Sequence, residues 1–361
     1  MQMGNETLRV RRELGKPLTN TNYTRIIKKQ NKIDIQDAQD KVLYPVYPVC
    51  PCELNWPVPR PLLRRNPPGD RSRKNEMKRI LTLCMLSVFL SGAMACGADL
   101  QQVSSEADVK VNRNVVYGSA AEPMHRADVY RLEPSSKTLK SPGILMIHGG
   151  AWFAGDKLND ALHAKRLAKL GFVVMVINYR LIPTHPFPAQ LDDCNLALEW
   201  MNTHSEELGV STDALGAWGY SAGGHLAALL ATNPKPGIPR LKAAVVGAAP
   251  CDLTQIPLES KILVGLLGGT RAKYPDRYAE ASPITYVSPD DPPIFLFHGS
   301  KDWLVPPVSS QVMRDALKMN GVGFEYLVVE NKAHLMTFID SDATGKSFLF
   351  LKERLSFVTP N

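Results

Sequence analysis

A serine between two glycines is the residue of this chain best suited to chemistry. Ser221 lies in the stretch AWGYSAGGHLAALLA, residues 217–231, where an apolar run gives way to an alanine-rich one. A Gly-x-Ser-x-Gly pattern at a change from strand to helix is typical of a nucleophilic serine on a strained turn, where Gly219 and Gly223 leave room for the backbone. Small residues also pack tightly where a helix crosses a strand, so this pattern alone leaves a structural role for Ser221 open.

Other apolar runs of the chain are also followed by residues that could take part in catalysis. GILMIHGG ends at Gly149 and Gly150, IFLFHGSKD ends at Asp302, and the run through VVE is followed by His334 in NKAHLM. In open α/β sheets, active sites collect at the carboxyl ends of the strands. A serine, an acid and a histidine in this chain order, each after a different strand, indicate a nucleophile with its base and orienting acid.

These three side chains divide the work of nucleophilic catalysis in a defined way. Ser221 is a weak nucleophile at neutral pH and needs a base, so His334 is expected to take its proton and return it to the leaving group. Asp302 is expected to hold the imidazole in the useful tautomer and to stabilise its charged form. The sequence therefore predicts Ser221, Asp302 and His334 as the catalytic residues.

The negative charge that develops on a substrate oxygen needs fixed hydrogen-bond donors. The backbone N–H groups of Gly149, Gly150 and Ala222 are predicted to supply them as an oxyanion hole. The chain contains no Cys-x-x-Cys and no His-Glu-x-x-His, so we expect neither a metal nor a cofactor at the site.

Other carboxylates compete with Asp302 for the role of the acid. Asp290 and Asp291 lie in SPDDPP, before the strand, and Glu330 lies at the end of the last strand. Asp302 follows its strand, on the side where active sites form, and is therefore favoured.

The remaining histidines near these motifs are expected to be structural. His148 is predicted to shape the loop that carries the two glycines through a hydrogen bond, and His225 and His298 are interpreted in the same way. Trp152, just after HGGA, is expected to pack or to form a wall. The motif around His334 does not by itself distinguish a catalytic histidine from an ordinary surface histidine.

From about residue 108 onward the chain alternates apolar runs with amphipathic stretches of helical length. The runs that read as strands are VKVNRNVVYG, HRADVYRLEP, GILMIHGG, GFVVMVINYR, ALGAWGYS, LKAAVVGAAP, PPIFLFHGS and FEYLVVEN. The stretches that read as helices are LNDALHAKRLAKLG, LDDCNLALEWMNTHSEELG, SAGGHLAALLAT and VSSQVMRDALKMNG. This alternation predicts a mostly parallel sheet covered by helices on both faces, and the first two runs suit an antiparallel edge.

The distribution of charge along the chain bears on whether nucleic acid is a partner, and none is expected. The chain has a net charge of +7, but residues 1–76 hold 15 Lys and Arg against 8 Asp and Glu, and the rest of the chain holds 27 of each. The excess therefore lies entirely in the first 76 residues. Net charge gives no support for nucleic-acid binding by the remainder of the chain.

The first 95 residues read as two segments outside the catalytic domain. Residues 1–76 are basic and proline-rich and are predicted to be disordered, unless Met77 is the true start. Residues 77–95 have the layout of a secretory signal peptide, with two cations, a short apolar stretch and small residues before Cys96. The catalytic domain is then 96–361. We expect an exported protein, periplasmic or secreted, and Cys96 resembles the lipid-modified cysteine of bacterial lipoproteins, which would attach it to a membrane.

Several motifs together resemble the bacterial carboxylesterases of the α/β-hydrolase superfamily, over about residues 110–357. They are HGGAW, NYRL, FPAQLDD, GYSAGGHLAAL, SPITYVSPDDPPIFLFHGSKDWLVP and AHLM. The chain looks most like the hormone-sensitive-lipase-like and the feruloyl or acetylxylan esterases. Tyr220 stands where many hormone-sensitive-lipase-like enzymes have aspartate, which favours the feruloyl and acetylxylan side. The resemblance implies an α/β-hydrolase fold with a small cap insertion.

The same resemblance implies a serine carboxylesterase without a cofactor, acting on small-molecule esters. The only long stretch between strands, residues 251–283, has room for one or two helices, which favours short acyl groups and leaves space for an acetylated or feruloylated saccharide. Its ILVGLLGG segment is expected either to form an apolar pocket wall or to pack in the core. Kynurenine formamidases have a similar glycine loop and serine turn, so hydrolysis of an amide or formamide is the alternative.

Overall fold

Eight strands form one sheet in the computed structural model, which describes residues 108–132, 140–256 and 260–355. The strands are β1 Val109–Val116, β2 Arg126–Leu132, β3 Ser141–Ile147, β4 Val173–Ile177, β5 Val210–Tyr220, β6 Ala243–Gly247, β7 Ile294–Gly299 and β8 Phe324–Val329. Their order across the sheet is β1-β2-β4-β3-β5-β6-β7-β8. β1 and β2 are antiparallel to each other, β2 is antiparallel to β4, and the other neighbours are parallel, as the sequence predicts.

The burial of the strands explains why they pair in this way. Every residue of β4 (VVMVI) and β6 (AAVVG) is buried, which is the pattern of parallel strands covered on both faces. β1 lies at the sheet edge and keeps several residues exposed. Ile147 at the end of β3 pairs with Gly219 of β5, so the loop after β3 and the turn after β5 leave the sheet side by side.

The helices cover both faces of the sheet. They are α1 Ala161–Lys169, α2 Ala189–Thr203, α3 Ser205–Leu208, α4 Ala222–Thr232, α5 Lys261–Leu267, α6 Pro275–Glu280, α7 Val308–Met319, α8 His334–Phe338 and α9 Ser341–Leu355. One core cluster takes in side chains of α2, α4 and α7, and the other takes in side chains of α1 and α9. The helical stretches predicted from the sequence are confirmed in α1, α2, α4 and α7.

Two helices at the end of the chain are missing from the sequence-based prediction. α8 is only five residues long, and its buried side chains include the polar Thr337. The buried face of α9 carries Thr344 and Ser347 beside Phe348 and Leu351, so its apolar periodicity is interrupted. Ser347 accepts a hydrogen bond of 3.0 Å from the Trp218 indole, so a polar residue is satisfied within the core.

The stretch 251–283, which the sequence predicts to be a small cap, is described except for residues 257–259. It contains α5 and α6, and a 3-10 helix, Pro283–Tyr286, follows. Leu263, Leu266 and Leu267 of α5 belong to the core cluster that α4 also joins. Of the two expectations for ILVGLLGG, the structure therefore shows packing in the core.

The segments 1–76 and 77–95 and the residue Cys96 lie outside the described residues. None of the helices that are described is both long and apolar enough to cross a bilayer.

Candidate active site

Ser221 occupies a strained turn between β5 and α4. Its backbone angles are φ 56° and ψ −121°, a region that residues with a side chain rarely adopt. Such a conformation costs about 1–3 kcal/mol and persists only where the surroundings hold it. Here the Ser221 N–H donates to the Gly247 carbonyl at 2.8 Å, and the Ser221 carbonyl accepts from the His225 N–H at 2.9 Å. Ser221 therefore lies on the strained strand-to-helix turn that the sequence predicts.

The glycines beside this serine are required by close approach of backbone. A Cβ atom at Gly219 would lie 2.2 Å from the Gly223 carbonyl oxygen. A Cβ atom at Gly223 would lie 1.9 Å from the carbonyl oxygen of Ile147, at the end of β3. Both contacts are with backbone, which cannot move aside, so the turn can form only with glycine at these two positions.

The loop after β3 lies against the serine turn. A Cβ atom at Gly149 would be 3.4 Å from Ser221 Cβ and 3.0 Å from the Tyr220 carbonyl oxygen. Gly150 has φ 115°, and a Cβ there would be 2.0 Å from the Ala154 carbonyl oxygen. Ala222 is the first residue of α4, and N–H groups in the first turn of a helix have no partner within it. The glycine loop and the first turn of α4, whose N–H groups the sequence predicts as oxyanion donors, therefore lie next to each other at Ser221.

His148 supports this loop, as the sequence predicts. Its Nδ1–H donates to the Gly149 carbonyl at 2.7 Å, while its own carbonyl accepts from the Tyr179 hydroxyl at 2.9 Å. The two rings stack with centroids 4.3 Å apart. Burial lowers the pKa of His148, partly offset by its hydrogen bond to Gly149, so the ring is neutral at physiological pH. Trp152 is buried in the core and packs its indole edge-on to His225.

The acid and the histidine predicted from the sequence are in direct contact. The Nδ1–H of His334 donates to Asp302 Oδ2 at 2.6 Å, and both side chains are almost fully buried. Among the described residues, Asp302 is the carboxylate hydrogen-bonded to His334. Because Nδ1 carries this hydrogen, Nε2 of the neutral ring is free to accept a proton.

The competing carboxylates lie elsewhere. Asp291 accepts hydrogen bonds from the backbone and the hydroxyl of Ser288, while Asp290 and Glu330 are exposed. The choice of Asp302 agrees with this geometry.

The loop that carries Asp302 and the loop that leads into α8 and His334 are joined to each other. The Lys301 N–H donates to the Lys332 carbonyl at 3.0 Å, and the Asn331 N–H donates to the Ser300 hydroxyl at 2.8 Å. A Cβ atom at Gly299 would lie 2.3 Å from the Lys332 carbonyl oxygen. The two backbone segments can therefore come this close only because residue 299, at the end of β7, is glycine. The separation of the two side chains is therefore set by backbone contacts.

The Asp302 carboxylate is surrounded by donors. Oδ1 accepts from the N–H groups of Leu304 and Val305 at 2.9 Å each, and Oδ2 lies 3.2 Å from His298 Nε2 as well as close to His334. Burial alone would raise the pKa of Asp302, but the hydrogen bonds from His298, His334 and Val305 outweigh it and hold the pKa well below its usual range. The carboxylate is therefore ionised, as an orienting acid must be.

Tyr220 connects the serine turn to the histidine. Its hydroxyl donates to the His334 carbonyl at 2.6 Å, and its ring packs against His334 and Phe338. Burial and the neighbouring charge of Asp302 raise the pKa of Tyr220, so the phenol keeps its proton. The sequence marked Tyr220 only as a departure from a related group of enzymes, and this contact was not predicted.

Within the part of the chain that is described, no hydrogen bond joins Ser221 Oγ to the His334 ring. In enzymes without substrate, catalytic hydrogen bonds are often long and tighten only in the substrate complex.

His225 links α4 to the cap. Its Nε2–H donates to the Ala281 carbonyl at 2.6 Å, and the ring is completely buried. Burial lowers the pKa of His225 to about 4, partly offset by the hydrogen bond to Ala281. The structural role predicted for this histidine is confirmed. Over residues 108–132, 140–256 and 260–355, no cluster of three or more His, Cys, Asp or Glu side chains is placed to hold a metal ion.

Comparison with known proteins places this site in a family. A family model described as BD-FAE matches residues 127–317, more than half of the chain. The chain belongs to the BD-FAE family. The matched range includes Ser221, Asp302 and the glycine loop, while His334 follows it.

Curated and solved relatives agree with this assignment. The probable carboxylic ester hydrolase LipM of Mycobacterium tuberculosis is 33% identical over 221 residues, 57% of this chain and 51% of that protein. The chain therefore spans about half the length of the curated relatives it matches.

A truncated carbohydrate esterase from gut microbiota aligns with a TM-score of 0.65, 24% identity, 70% of this chain and 99% of that chain. A bifunctional GH43-CE protein of Bacteroides eggerthii aligns with a TM-score of 0.62, 26% identity, 68% of this chain and 38% of that chain. The α/β-hydrolase fold predicted from the sequence is confirmed.

Proposed function

We propose that this protein is a serine carboxylesterase that hydrolyses short-acyl esters through Ser221, His334 and Asp302. The observation that carries the proposal is the ionised Asp302, bonded at 2.6 Å to His334 at the start of α8, whose carbonyl accepts a hydrogen bond from Tyr220 beside the strained Ser221 turn. A strained serine next to backbone donors, together with a buried histidine–carboxylate pair, is the arrangement that acyl transfer needs.

The proposed acylation step uses each of these groups in turn. Ser221 Oγ attacks the carbonyl carbon of the ester while its proton passes to His334 Nε2. The carbonyl oxygen becomes an oxyanion and accepts hydrogen bonds from the N–H groups of Ala222, Gly149 and Gly150. When the carbon–oxygen bond to the alcohol breaks, His334 gives its proton to the departing oxygen, and the acyl group stays on Ser221.

Deacylation repeats these steps with water as the nucleophile. His334 takes a proton from water as the water oxygen attacks the acyl carbon, and returns it to Ser221 Oγ as the free acid leaves. Asp302 stabilises the imidazolium in both halves of the reaction without itself taking the proton.

A short acyl group and a sugar alcohol are proposed as the two halves of the substrate. The described cap consists of two short helices, and three leucines of α5 are buried in the core, so Ile262 is the large apolar side chain that the described part of α5 leaves exposed, which is little surface to cover a long chain. Two of the aligned structures come from proteins described as carbohydrate esterases or as carrying a CE module. An acetylated saccharide is the substrate class that these features favour.

The test of the function is hydrolysis of p-nitrophenyl acetate by the wild type and by Ser221→Ala, His334→Ala and Asp302→Asn. We expect Ser221→Ala and His334→Ala to lower kcat by about 10⁴-fold or more, and Asp302→Asn to lower it severely through the wrong tautomer of His334. Circular dichroism checks that each variant is folded. Wild-type activity in folded Ser221→Ala would refute the proposal, and greater activity on N-formylkynurenine than on short esters would replace the esterase with an amide hydrolase.

Export is proposed from the sequence alone. The signal peptide at 77–95 and the lipid on Cys96 predict that a palmitate analogue fed to a bacterial host labels the wild type but not Cys96→Ala. Equal labelling of the two would reject the lipid at Cys96.

A further inference from the structure

A second histidine lies against the acid of the site. His298 is in β7, four residues before Asp302, and its side chain is fully buried. Its Nε2 lies 2.8 Å from the Val305 carbonyl oxygen and 3.2 Å from Asp302 Oδ2. Its Nδ1 lies 2.7 Å from the hydroxyl oxygen of Ser310, which is also fully buried.

These contacts define where the hydrogen of His298 lies. Nε2 faces a carbonyl oxygen and a carboxylate oxygen, which can only accept hydrogen bonds, so Nε2 carries the hydrogen. In the neutral ring Nδ1 is then the acceptor, and the Ser310 hydroxyl donates to it. Ser310, at the start of α7, thus fixes the tautomer that His298 needs to donate toward Asp302.

The same contacts determine the orientation of the carboxylate. Two backbone N–H groups, of Leu304 and Val305, hold Oδ1, and two imidazoles, of His298 and His334, face Oδ2. Without His298, His334 would be the one side chain among the described residues that is bonded to Oδ2. The carboxylate could then rotate or shift from the geometry that holds the His334 ring.

We propose that His298 is a positioning residue for the reaction: its Nε2–H, shared between Val305 and Asp302, fixes the carboxylate that orients His334. The inference rests on the proposed function, since it assigns His298 to the reaction only through Asp302. His298 is buried behind the acid and acts without contact with the substrate.

Two substitutions separate this role from simple packing. His298→Met fills a similar volume without a donor, whereas His298→Gln places an amide N–H near the position of Nε2. Loss of a hydrogen bond to a charged group predicts that His298→Met lowers kcat for p-nitrophenyl acetate by about 10- to 100-fold. KM should stay within about twofold, because acylation and deacylation both use the same imidazole. His298→Gln should recover kcat to within about fivefold of the wild type.

Ser310→Ala provides an independent test that leaves the imidazole in place. It removes the donor that fixes the tautomer, and we expect kcat to fall by about three- to tenfold with KM unchanged. His163→Met is the matched control, because His163 is also a buried histidine but packs against Trp218 and Phe338. It should change the melting temperature and leave kcat at the wild-type value.

The positioning role is overturned if folded His298→Met keeps kcat within about threefold of the wild type, or if its loss lies in KM alone. It is also overturned if His298→Gln is as slow as His298→Met. If His298→Met does not fold, Ser310→Ala decides, and wild-type kcat in that variant contradicts the role. Wild-type activity in Ser221→Ala would instead refute the proposed function, so the two failures are distinguishable.

Discussion

The buried histidine that joins α4 to the cap should make the stability of the fold depend on pH. His225 is neutral in the folded protein, where burial lowers its pKa to about 4, and it titrates near 6.5 in an unfolded chain. Between these values the unfolded state binds a proton that the folded state does not. The contribution of His225 to stability is therefore fully present above pH 6.5 and is lost as the pH falls toward 4.

The size of this effect follows from the separation of the two pKa values. A difference of roughly 2.5 units at 1.36 kcal/mol per unit gives about 3 kcal/mol lost between pH 6.5 and pH 4. This is a large fraction of the stability of an ordinary domain, which is about 5–15 kcal/mol. His225→Gln keeps an N–H able to reach the Ala281 carbonyl but removes the titrating ring.

Urea unfolding followed by circular dichroism, at pH 7 and at pH 4, measures the free energy of unfolding of both proteins. We expect the wild type to lose about 3 kcal/mol more than His225→Gln between the two pH values. Other groups titrate in the same window in both proteins, and the comparison removes their contribution. An equal loss in wild type and His225→Gln would refute the assignment of a buried, neutral His225 that binds a proton only on unfolding.

Three further predictions concern the serine turn, the histidine and the acyl group. Gly223→Ala would place a Cβ 1.9 Å from the Ile147 carbonyl oxygen and should lower the free energy of unfolding in urea by about 3 kcal/mol or more. Gly323→Ala is the control and should be tolerated, because its Cβ would lie 3.6 Å from Pro293. Equal stability of the two variants would contradict this prediction. Tyr220→Phe removes the hydroxyl that donates to the His334 carbonyl and should cost about 0.5–1.5 kcal/mol in unfolding, with a lower kcat; unchanged values for both would mean that the contact has no role. Across p-nitrophenyl esters, kcat/KM should fall steeply from acetate and butyrate to palmitate, and a maximum at long chains would reject the short acyl group.

Most of the candidate site could be predicted from the strand pattern and from the residues that follow each strand. Period and apolar content are local properties, so all eight strands could be located from the sequence. Asp302 could be chosen over Asp291 because it follows its strand, whereas Asp291 precedes that strand. Glu330 also follows a strand, but β7, which leads to Asp302, is buried throughout and β8, which leads to Glu330, is partly exposed. The 2.6 Å contact of Asp302 with His334 agrees with that choice.

Contacts between residues far apart in the chain could not be predicted from local sequence patterns. The Tyr220 hydroxyl donates to a backbone carbonyl 114 positions later. Every residue has a backbone carbonyl, so the residue type at that position gives no sign of the contact. His298 was interpreted as structural, which describes its burial but misses its contact with Asp302, because the turn between residues 298 and 302 sets that distance. α9 escaped prediction because Thr344 and Ser347 interrupt the apolar face that it buries.

Labelling with a fluorophosphonate probe tests whether Ser221 is an activated nucleophile, since such a probe reacts preferentially with a serine activated by its base and oxyanion donors. The folded wild type and Ser221→Ala are treated with the probe, and the modified peptide is identified by mass spectrometry. We expect one adduct, on Ser221, and none in Ser221→Ala. Failure of the folded wild type to react, or an adduct on a different serine, would contradict this expectation.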